Sequence, residues 1–190
     1  MRTFIALDIN SEVNEIANET ISKLMRMGFK ASWVKPENMH LTLFFLGDVK
    51  EALVETLANR LQKRLAGFPS FSFDVSGFGY FRFKNRPRVF FLKVVQNKAL
   101  QTLYLEMRSE MKKLRMSFED QGNFVPHITL GRVKFSPEKW ESLVEGITTP
   151  KITVPVDSVT IYSSTLTPAG PIYKWLYRIK FEGGLMKNEQ

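Results

Sequence analysis

Apolar residues recur along the chain at two spacings, and the changes between them predict a mixed succession of strands and helices. Thr3 to Ile9 has the apolar run of a strand. Asn10 or Ser11 can then cap a helix whose Val13, Ile16, Ala17, Thr20 and Leu24 recur at helical spacing until Gly28. Beyond Pro36, His40 to Leu46 forms a strand closed by Gly47, and a second helix runs from about Lys50 to Ala66, ending at Gly67-Phe68-Pro69. Strands are predicted over Phe71 to about Gly77 and Arg88 to Val95. A helix from near Asn97 follows, with Leu100, Leu103, Met107, Met111 and Leu114 on its buried face. Pro126 leads into a strand, His127 to Val133, then a short helix from Pro137 to Glu145 and two long strands near Ile152 to Ser163 and Tyr173 to Phe181. The tail Gly183 to Gln190 is expected to fray.

This pattern repeats. Displacing the sequence by 87 residues lays Phe4-Ile5 on Phe91-Leu92, Asn10 on Asn97, Val13 on Leu100, Ile16 on Leu103, Leu24 on Met111 and His40 on His127. Two amphipathic helices align at some offset by chance; a strand, a cap, a helix face and both histidines agreeing at one offset point to duplication. The expected fold is therefore α+β: one domain over 1–190, bilobal, with half-repeats of about 1–95 and 88–182. In it, two antiparallel sheets face a central cleft, with two helices on the outside of each lobe.

Composition narrows the chemistry. The chain of 190 residues is 44% apolar and 13% aromatic, enough for a packed core, and has no Cys and two His. Without Cys there is no disulfide framework, thiolate metal site or cysteine nucleophile, and two His fall short of a usual zinc site. No apolar run is long enough to span a bilayer, and Met-Arg-Thr-Phe leads into a strand, not a signal peptide, so a cytoplasmic protein is expected. The net charge of +8 is localised. Residues 1–81 and 116–190 each balance, while 82–115 carry ten Lys/Arg against Glu106 and Glu110. A focused basic region suits a polyanionic partner.

Both histidines sit in one tetrapeptide form, His40-Leu41-Thr42-Leu43 and His127-Ile128-Thr129-Leu130. On a strand, His and Thr project from one face while the aliphatic residues enter the core. Two such faces across a cleft suit displacement at phosphorus, with one imidazole accepting a proton and the other donating one. The Thr hydroxyls can bind the non-bridging oxygens, and the scheme requires no metal. A single His-x-Thr is more often two ordinary strand residues; two symmetric copies holding all the histidine reverse that preference.

The segments Asn38 to Gly47 and Phe124 to Arg132 resemble the paired motifs of the two-histidine phosphoesterase superfamily, within it the RNA 2′,3′-cyclic phosphodiesterases, also called 2′-5′ RNA ligases. Arg2 to Asp8 and Tyr162-Ser163-Ser164, with Gly170 and Tyr173, extend the resemblance over nearly the whole chain. It implies a monomeric enzyme, independent of metal, ATP or other cofactor. Such enzymes hydrolyse terminal 2′,3′-cyclic phosphates of RNA, tRNA fragments among them, to 2′-phosphomonoesters, and some form 2′-5′ linkages in reverse. It also implies that His40 donates the proton to the leaving 3′-oxygen and that His127 accepts one from water, a direction that near-symmetry leaves open. Arg132 matches the family's arginine as a phosphate contact, although alternation along the strand puts Gly131, not Arg132, on the face of His127 and Thr129 unless the strand bulges or ends there. Asp48-Val49 stands where the first motif could have carried a matching arginine.

Tyr173 is a further substrate-binding candidate, opening the last strand after the loop Pro168 to Pro171. Phe4, Phe45 and Phe124 belong mostly to the core, with one available to line a nucleobase pocket. Gly77 to Phe83 resembles the RNP1 segment of RNA-recognition domains, but the helix preceding it breaks that fold's element order, so Gly77 and Gly79 are expected to mark a bulge or turn. The aromatics there, beside Arg82, Lys84, Arg86 and Arg88, include more than a core can take, and some are candidates for stacking on bases. Alternative functions are a phosphodiesterase for small cyclic nucleotides or 2′-5′ oligonucleotides, and a non-catalytic RNA-binding module.

Overall fold

A computed structural model describes residues 1–119 and 123–189 and resolves the alternating periodicities into ten strands and four α-helices. In chain order these are β1 (Arg2–Leu7), α1 (Ser11–Arg26), β2 (Lys30–Trp33), a 3-10 turn at Pro36–Asn38, β3 (Leu41–Asp48), α2 (Glu51–Leu65), β4 (Phe71–Phe83) and β5 (Arg86–Val94). There follow α3 (Lys98–Lys113), β6 (His127–Phe135), α4 (Trp140–Val144), β7 (Ile152–Val156), β8 (Ser158–Thr167), β9 (Gly170–Lys180) and β10 (Leu185–Lys187).

The strands are arranged β10-β9-β8-β1-β3-β6-β5-β4-β7, with β2 added to β6. All the pairings are antiparallel, and β3 meets β6 through one residue pair, Leu41 with Ile128. That thin seam divides the sheet into a lobe centred on β1 and β3 and another centred on β5 and β6, as the α+β bilobal expectation requires. Helices α1 and α3 have the same length and the same cap: Asn10 and Asn97 each accept a hydrogen bond from the backbone N–H three residues on.

The helices cross between lobes. Helix α3 leaves β5 yet packs under β3, where Tyr104 stacks on Phe44 at 4.5 Å. The chain leaving α1 enters the opposite lobe, with Phe29 edge-on to Phe90 and β2 paired with β6. Each lobe is thus built from both halves of the chain. The core beneath the sheet is continuous, from Ile5, Phe44 and Leu57 to Phe90, Met107 and Ile128.

Several boundaries differ from expectation for local reasons. Strand β4 does not stop at Gly77; a register slip between Val75 and Phe78, with Gly77 at φ +94°, lets it continue to Phe83. The predicted Ile152 to Ser163 strand is broken at Asp157 into β7 and β8. Helix α4 is only five residues long, preceded by Lys139 in the left-handed region. Strand β2 was too short and too polar to stand out. The tail is tied down rather than frayed: β10 pairs with β9 and the Asn188 side chain donates to the Trp175 carbonyl. Its last residue, Gln190, lies outside the described residues.

Candidate active site

The two tetrapeptides lie on adjacent strands on either side of the seam, and a cleft of about 660 Å³ opens over them. Leu41, Leu43, Ile128 and Leu130 are buried beneath, which fixes the opposite face of each strand upward. His40, Thr42, Thr129, Arg132 and Tyr173 line the cleft. His127 is not among the residues that line the cleft; it sits beside them on β6, two residues before Thr129, near enough for its charge to contribute to lowering the pKa of His40.

Each imidazole is held the same way. Nδ1 of His40 donates to the Asn38 carbonyl (2.6 Å) and Nδ1 of His127 to the Val125 carbonyl (2.8 Å), since a carbonyl can only accept. In the neutral rings this leaves Nε2 as the lone-pair nitrogen on both. Their Nε2 atoms differ: that of His40 shares a 2.7 Å hydrogen bond with the Thr42 hydroxyl, whereas that of His127 has no hydrogen-bond partner among the described residues. Aromatic rings brace both. Phe4 stacks on His40 with centroids 4.8 Å apart, and Phe91, 87 residues on, lies against His127 at 5.2 Å. Tyr173 meets His40 edge-on at 5.5 Å, and Phe81 does the same to His127 at 5.0 Å.

Burial pushes the pKa of His40 down to about 4, against the opposing hydrogen bond to Asn38 and the carboxylate of Asp8. Burial also lowers His127; its hydrogen bond to Val125 opposes this and the Arg132 guanidinium adds to it. The charged neighbours therefore favour opposite states, an anion beside His40 and a cation beside His127. Asp8 is itself anchored by the Tyr162 hydroxyl, the Thr160 hydroxyl and Arg178. Burial and this carboxylate raise the Tyr162 phenol above its ordinary pKa, so the hydroxyl remains a donor.

Strand alternation misplaced one candidate. In β6 the register slips between Phe90 and Phe91, which pair with Gly131 and Thr129, so Leu130 is an extra residue. The bulge turns Gly131 toward Trp33 and brings Arg132 onto the face of Thr129, into the cleft. β3 bulges at the same place, Ile5 and Ala6 pairing with Phe44 and Thr42. The counterpart of Arg132 is therefore Phe45, not Asp48-Val49, and Phe45 lines the cleft 45% exposed.

The cleft also holds residues that the motifs did not single out: Arg2, Trp33, Lys35 and Glu119. Only Arg2 had a visible signal, lying two positions before Phe4 on one strand face. Of the three phenylalanines, Phe4 is buried against His40, Phe45 is exposed in the cleft, and Phe124 stacks on Tyr104. The Asn38 side chain donates to the Pro171 carbonyl (2.8 Å), holding the β8–β9 loop beside His40.

Two copies of one family model, described as LigT-like phosphoesterase, match residues 7–91 and 92–173, dividing the chain between its two motifs. This chain belongs to the LigT-like phosphoesterase family. Among its LigT-like relatives, an RNA 2′,3′-cyclic phosphodiesterase of Thermotoga maritima is 58% identical, the match covering 98% of this chain and 99% of the relative. An RNA 2′,3′-cyclic phosphodiesterase of Methanothermobacter thermautotrophicus is 30% identical, over 91% of this chain and 95% of that one. A crystal structure of a Thermus thermophilus protein superposes with a TM-score of 0.76 at 29% identity, covering 96% and 99% of the two chains. That of E. coli LigT complexed with 3′-AMP gives 0.70 at 27% identity, covering 93% and 95%. The duplication is thus a property of the LigT-like fold itself, and the chain is a phosphoesterase.

Proposed function

We propose that the protein hydrolyses 2′,3′-cyclic phosphate ends of RNA to 2′-phosphomonoesters, without metal or ATP, as a single two-lobed monomeric domain built from half-repeats of about 1–95 and 88–182. The observation carrying this reading is the pair of imidazoles with like-oriented Nε2 atoms and oppositely charged neighbours. The name of the Thermotoga relative supports the substrate.

In this reading His127 is the base. Its Nε2 is unengaged, and Arg132 favours the neutral ring. It takes a proton from water as the water oxygen attacks phosphorus. The P–O3′ bond breaks, and protonated His40 gives its Nε2 proton to the departing 3′-oxygen, leaving a 2′-phosphate and a 3′-hydroxyl. Burial alone favours a neutral His40; an anionic phosphodiester in the cleft offsets burial for both rings and leaves Asp8 and Arg132 to set their order. Thr42 and Thr129 bind the non-bridging oxygens, Arg132 neutralises the charge developing on them, and Tyr173 packs against the terminal nucleoside. With a 5′-hydroxyl in the place of the attacking water, His127 takes its proton, the P–O3′ bond breaks with His40 protonating O3′, and a 2′-5′ linkage forms. Among the described residues no helix is long and apolar enough to cross a membrane, and cytoplasmic RNA, tRNA fragments included, is the proposed partner.

The test is incubation of an oligoribonucleotide bearing a 2′,3′-cyclic phosphate with the protein and a chelator, with product mapping. A 2′-phosphate product is expected, and His40→Ala or His127→Ala should each lower the rate by about 10²- to 10⁴-fold. Unreacted substrate, or activity lost to the chelator, would refute the proposal.

A further inference from the structure

The ten cations of residues 82–115 do not form one patch. Arg108, Lys112 and Lys113 line a shallow groove on α3, where Lys113 and Arg60 hold the buried Glu110. The remaining concentration lies on the β4–β5 hairpin, where Arg82, Lys84, Arg86 and Arg88 fall within seven residues that contain no acid. Arg82 is already engaged, paired with Glu141 and lying over Trp140 on the helix side of the sheet. Lys84, Arg86 and Arg88 are exposed and have no ion pair among the described residues.

The aromatics of this hairpin divide in the same way. Tyr80 packs edge-on to Trp140 on the helix side. Phe81 and Phe83, two residues apart, project from the other face, and Phe81 touches the His127 ring. They are 37% and 60% exposed, and Arg86 is paired opposite Phe83 on the same face. Lys84 lies over the Phe83 ring, 5.6 Å from its centroid, on the exposed surface; an exposed ring beside cations without acidic partners matches a nucleobase with its phosphate.

The second hairpin beside the cleft offers a contrast. Between residues 158 and 173 the β8–β9 hairpin carries no charged residue, and its exposed large side chains, Leu166 and Ile172, are aliphatic, beside the exposed Thr165, Pro168 and Ala169. The cleft is therefore walled on one side by an uncharged hairpin and flanked on the His127 side by a basic, aromatic one.

We infer that the outer face of the β4–β5 hairpin is a binding rail for single-stranded RNA: the nucleotides upstream of the cyclic phosphate leave the cleft past His127, stack on Phe81 and Phe83, and lay their phosphates along Lys84, Arg86 and Arg88. This rests on the phosphodiesterase reading for which strand occupies the rail, and it separates an RNA-end enzyme from one acting on mononucleotides. The rail is sequence-tolerant, because every base has a face to stack.

The experiment uses Phe83→Ala and the double variant Arg86→Gln/Arg88→Gln, neither of which touches the proposed acid–base pair. Binding of a labelled oligoribonucleotide with a 2′-phosphate end is followed by fluorescence anisotropy over a range of salt. Hydrolysis of a 2′,3′-cyclic mononucleotide is measured alongside. Phe83→Ala should weaken oligonucleotide binding about 5- to 150-fold, the value of one stacked base, and Phe83→Trp should restore it. The double variant should flatten the slope of log affinity against log salt by about 1.4, from two lost phosphate contacts on a single strand. Mononucleotide hydrolysis should stay at the wild-type rate in all variants. Wild-type affinity and salt slope in both Phe83→Ala and the double variant would overturn the rail while leaving the phosphodiesterase reading intact, and so would a parallel loss of mononucleotide hydrolysis. Should the wild-type protein hydrolyse neither substrate, the phosphodiesterase reading fails and the anisotropy series still decides the rail.

Discussion

Phe45 and Arg132 hold equivalent places on the two motif strands, 87 residues apart, and both face the cleft because each strand carries an extra residue directly after its threonine. The bulges make the scaffold symmetric, while the side chains on it are not. One wall presents an aromatic ring, the other a guanidinium. A cyclic phosphate linked to a nucleoside has that same asymmetry, an anion at one end and an apolar face at the other, so in the proposed reaction the pair orients the substrate between two nearly interchangeable histidines.

Replacing the two residues should therefore affect different kinetic constants. Arg132→Gln removes charge stabilisation that grows as the non-bridging oxygens become more negative, and kcat/KM is expected to fall by roughly 10²- to 10³-fold, mostly through kcat. Arg132→Lys should recover only part of this, because an ammonium cannot reproduce the planar fork. Phe45→Ala should raise KM while leaving kcat within about tenfold. Steady-state kinetics on a cyclic mononucleotide separate the two; a KM effect from Arg132 with kcat untouched would remove it from the chemical step.

The pH dependence follows from the lowered histidines. The profile of kcat/KM reports the free protein, in which both imidazoles titrate below 6.5 and His40 near 4, so its maximum should lie on the acid side of pH 6.5. The profile of kcat reports the complex, where the bound anion raises both values, and its maximum should lie higher. Asp8→Asn takes away a carboxylate that favours charged His40, moving the limb that belongs to this residue to lower pH. Arg132→Gln takes away a cation that disfavours charged His127, moving the other limb to higher pH. Shifts of the same sign in the two variants would mean that Asp8 and Arg132 do not bias the two histidines in opposite directions.

The sequence made the repeat visible because its signals are local: two caps, two amphipathic faces and two His-x-Thr strands at one spacing. What it hid depends on register. Counting residues from Thr129 put Gly131 in the site and Arg132 outside it unless the strand bulged; one unpaired residue at Leu130 is that bulge, and no side chain announces where it falls. The aromatic braces were hidden for a related reason. Phe4 and Phe91 look like core residues in sequence and are buried, yet it is their strand neighbours that place them against the imidazoles. The Asp8–Tyr162 contact joins residues more than 150 positions apart and leaves no trace in either segment.

Acid should weaken the fold in two steps. The pKa of His40 is lowered on folding from 6.5 to about 4, so its neutral form belongs to the native state. Stability from this group is full above pH 6.5. It declines as the pH falls toward 4, because the unfolded chain takes up the proton first, to a total of up to roughly 3 kcal/mol. Glu110, lowered chiefly by its hydrogen bond to Lys113 and also by Arg60, contributes stability above the ordinary carboxylate range that is lost only at lower pH still. Urea unfolding between pH 7 and 4 should show the first step in the wild-type protein and a smaller one in His40→Gln. An equal decline in both would mean that His40 is not held neutral by the fold.

Gly131 links this site to packing. A Cβ added there would lie 2.7 Å from the Trp33 ring, closer than real Cβ atoms approach, and 3.1 Å from the Ser32 carbonyl oxygen, and the ring is stacked on Phe90 and borders the cleft. Gly131→Ala must therefore push Trp33 or widen the β2–β6 pairing, at a cost of about 1–3 kcal/mol. Because Arg132 is the next residue on the bulge, the same displacement should move the guanidinium and lower kcat as well as the unfolding midpoint. A second substitution separates the effects: Trp33→Leu makes room for the methyl group, and combined with Gly131→Ala it should recover part of the kcat lost in Gly131→Ala alone. Denaturant melts read beside kcat for the three variants check this. If Gly131→Ala leaves both quantities at the wild-type level, then the close approach of Trp33 does not position Arg132.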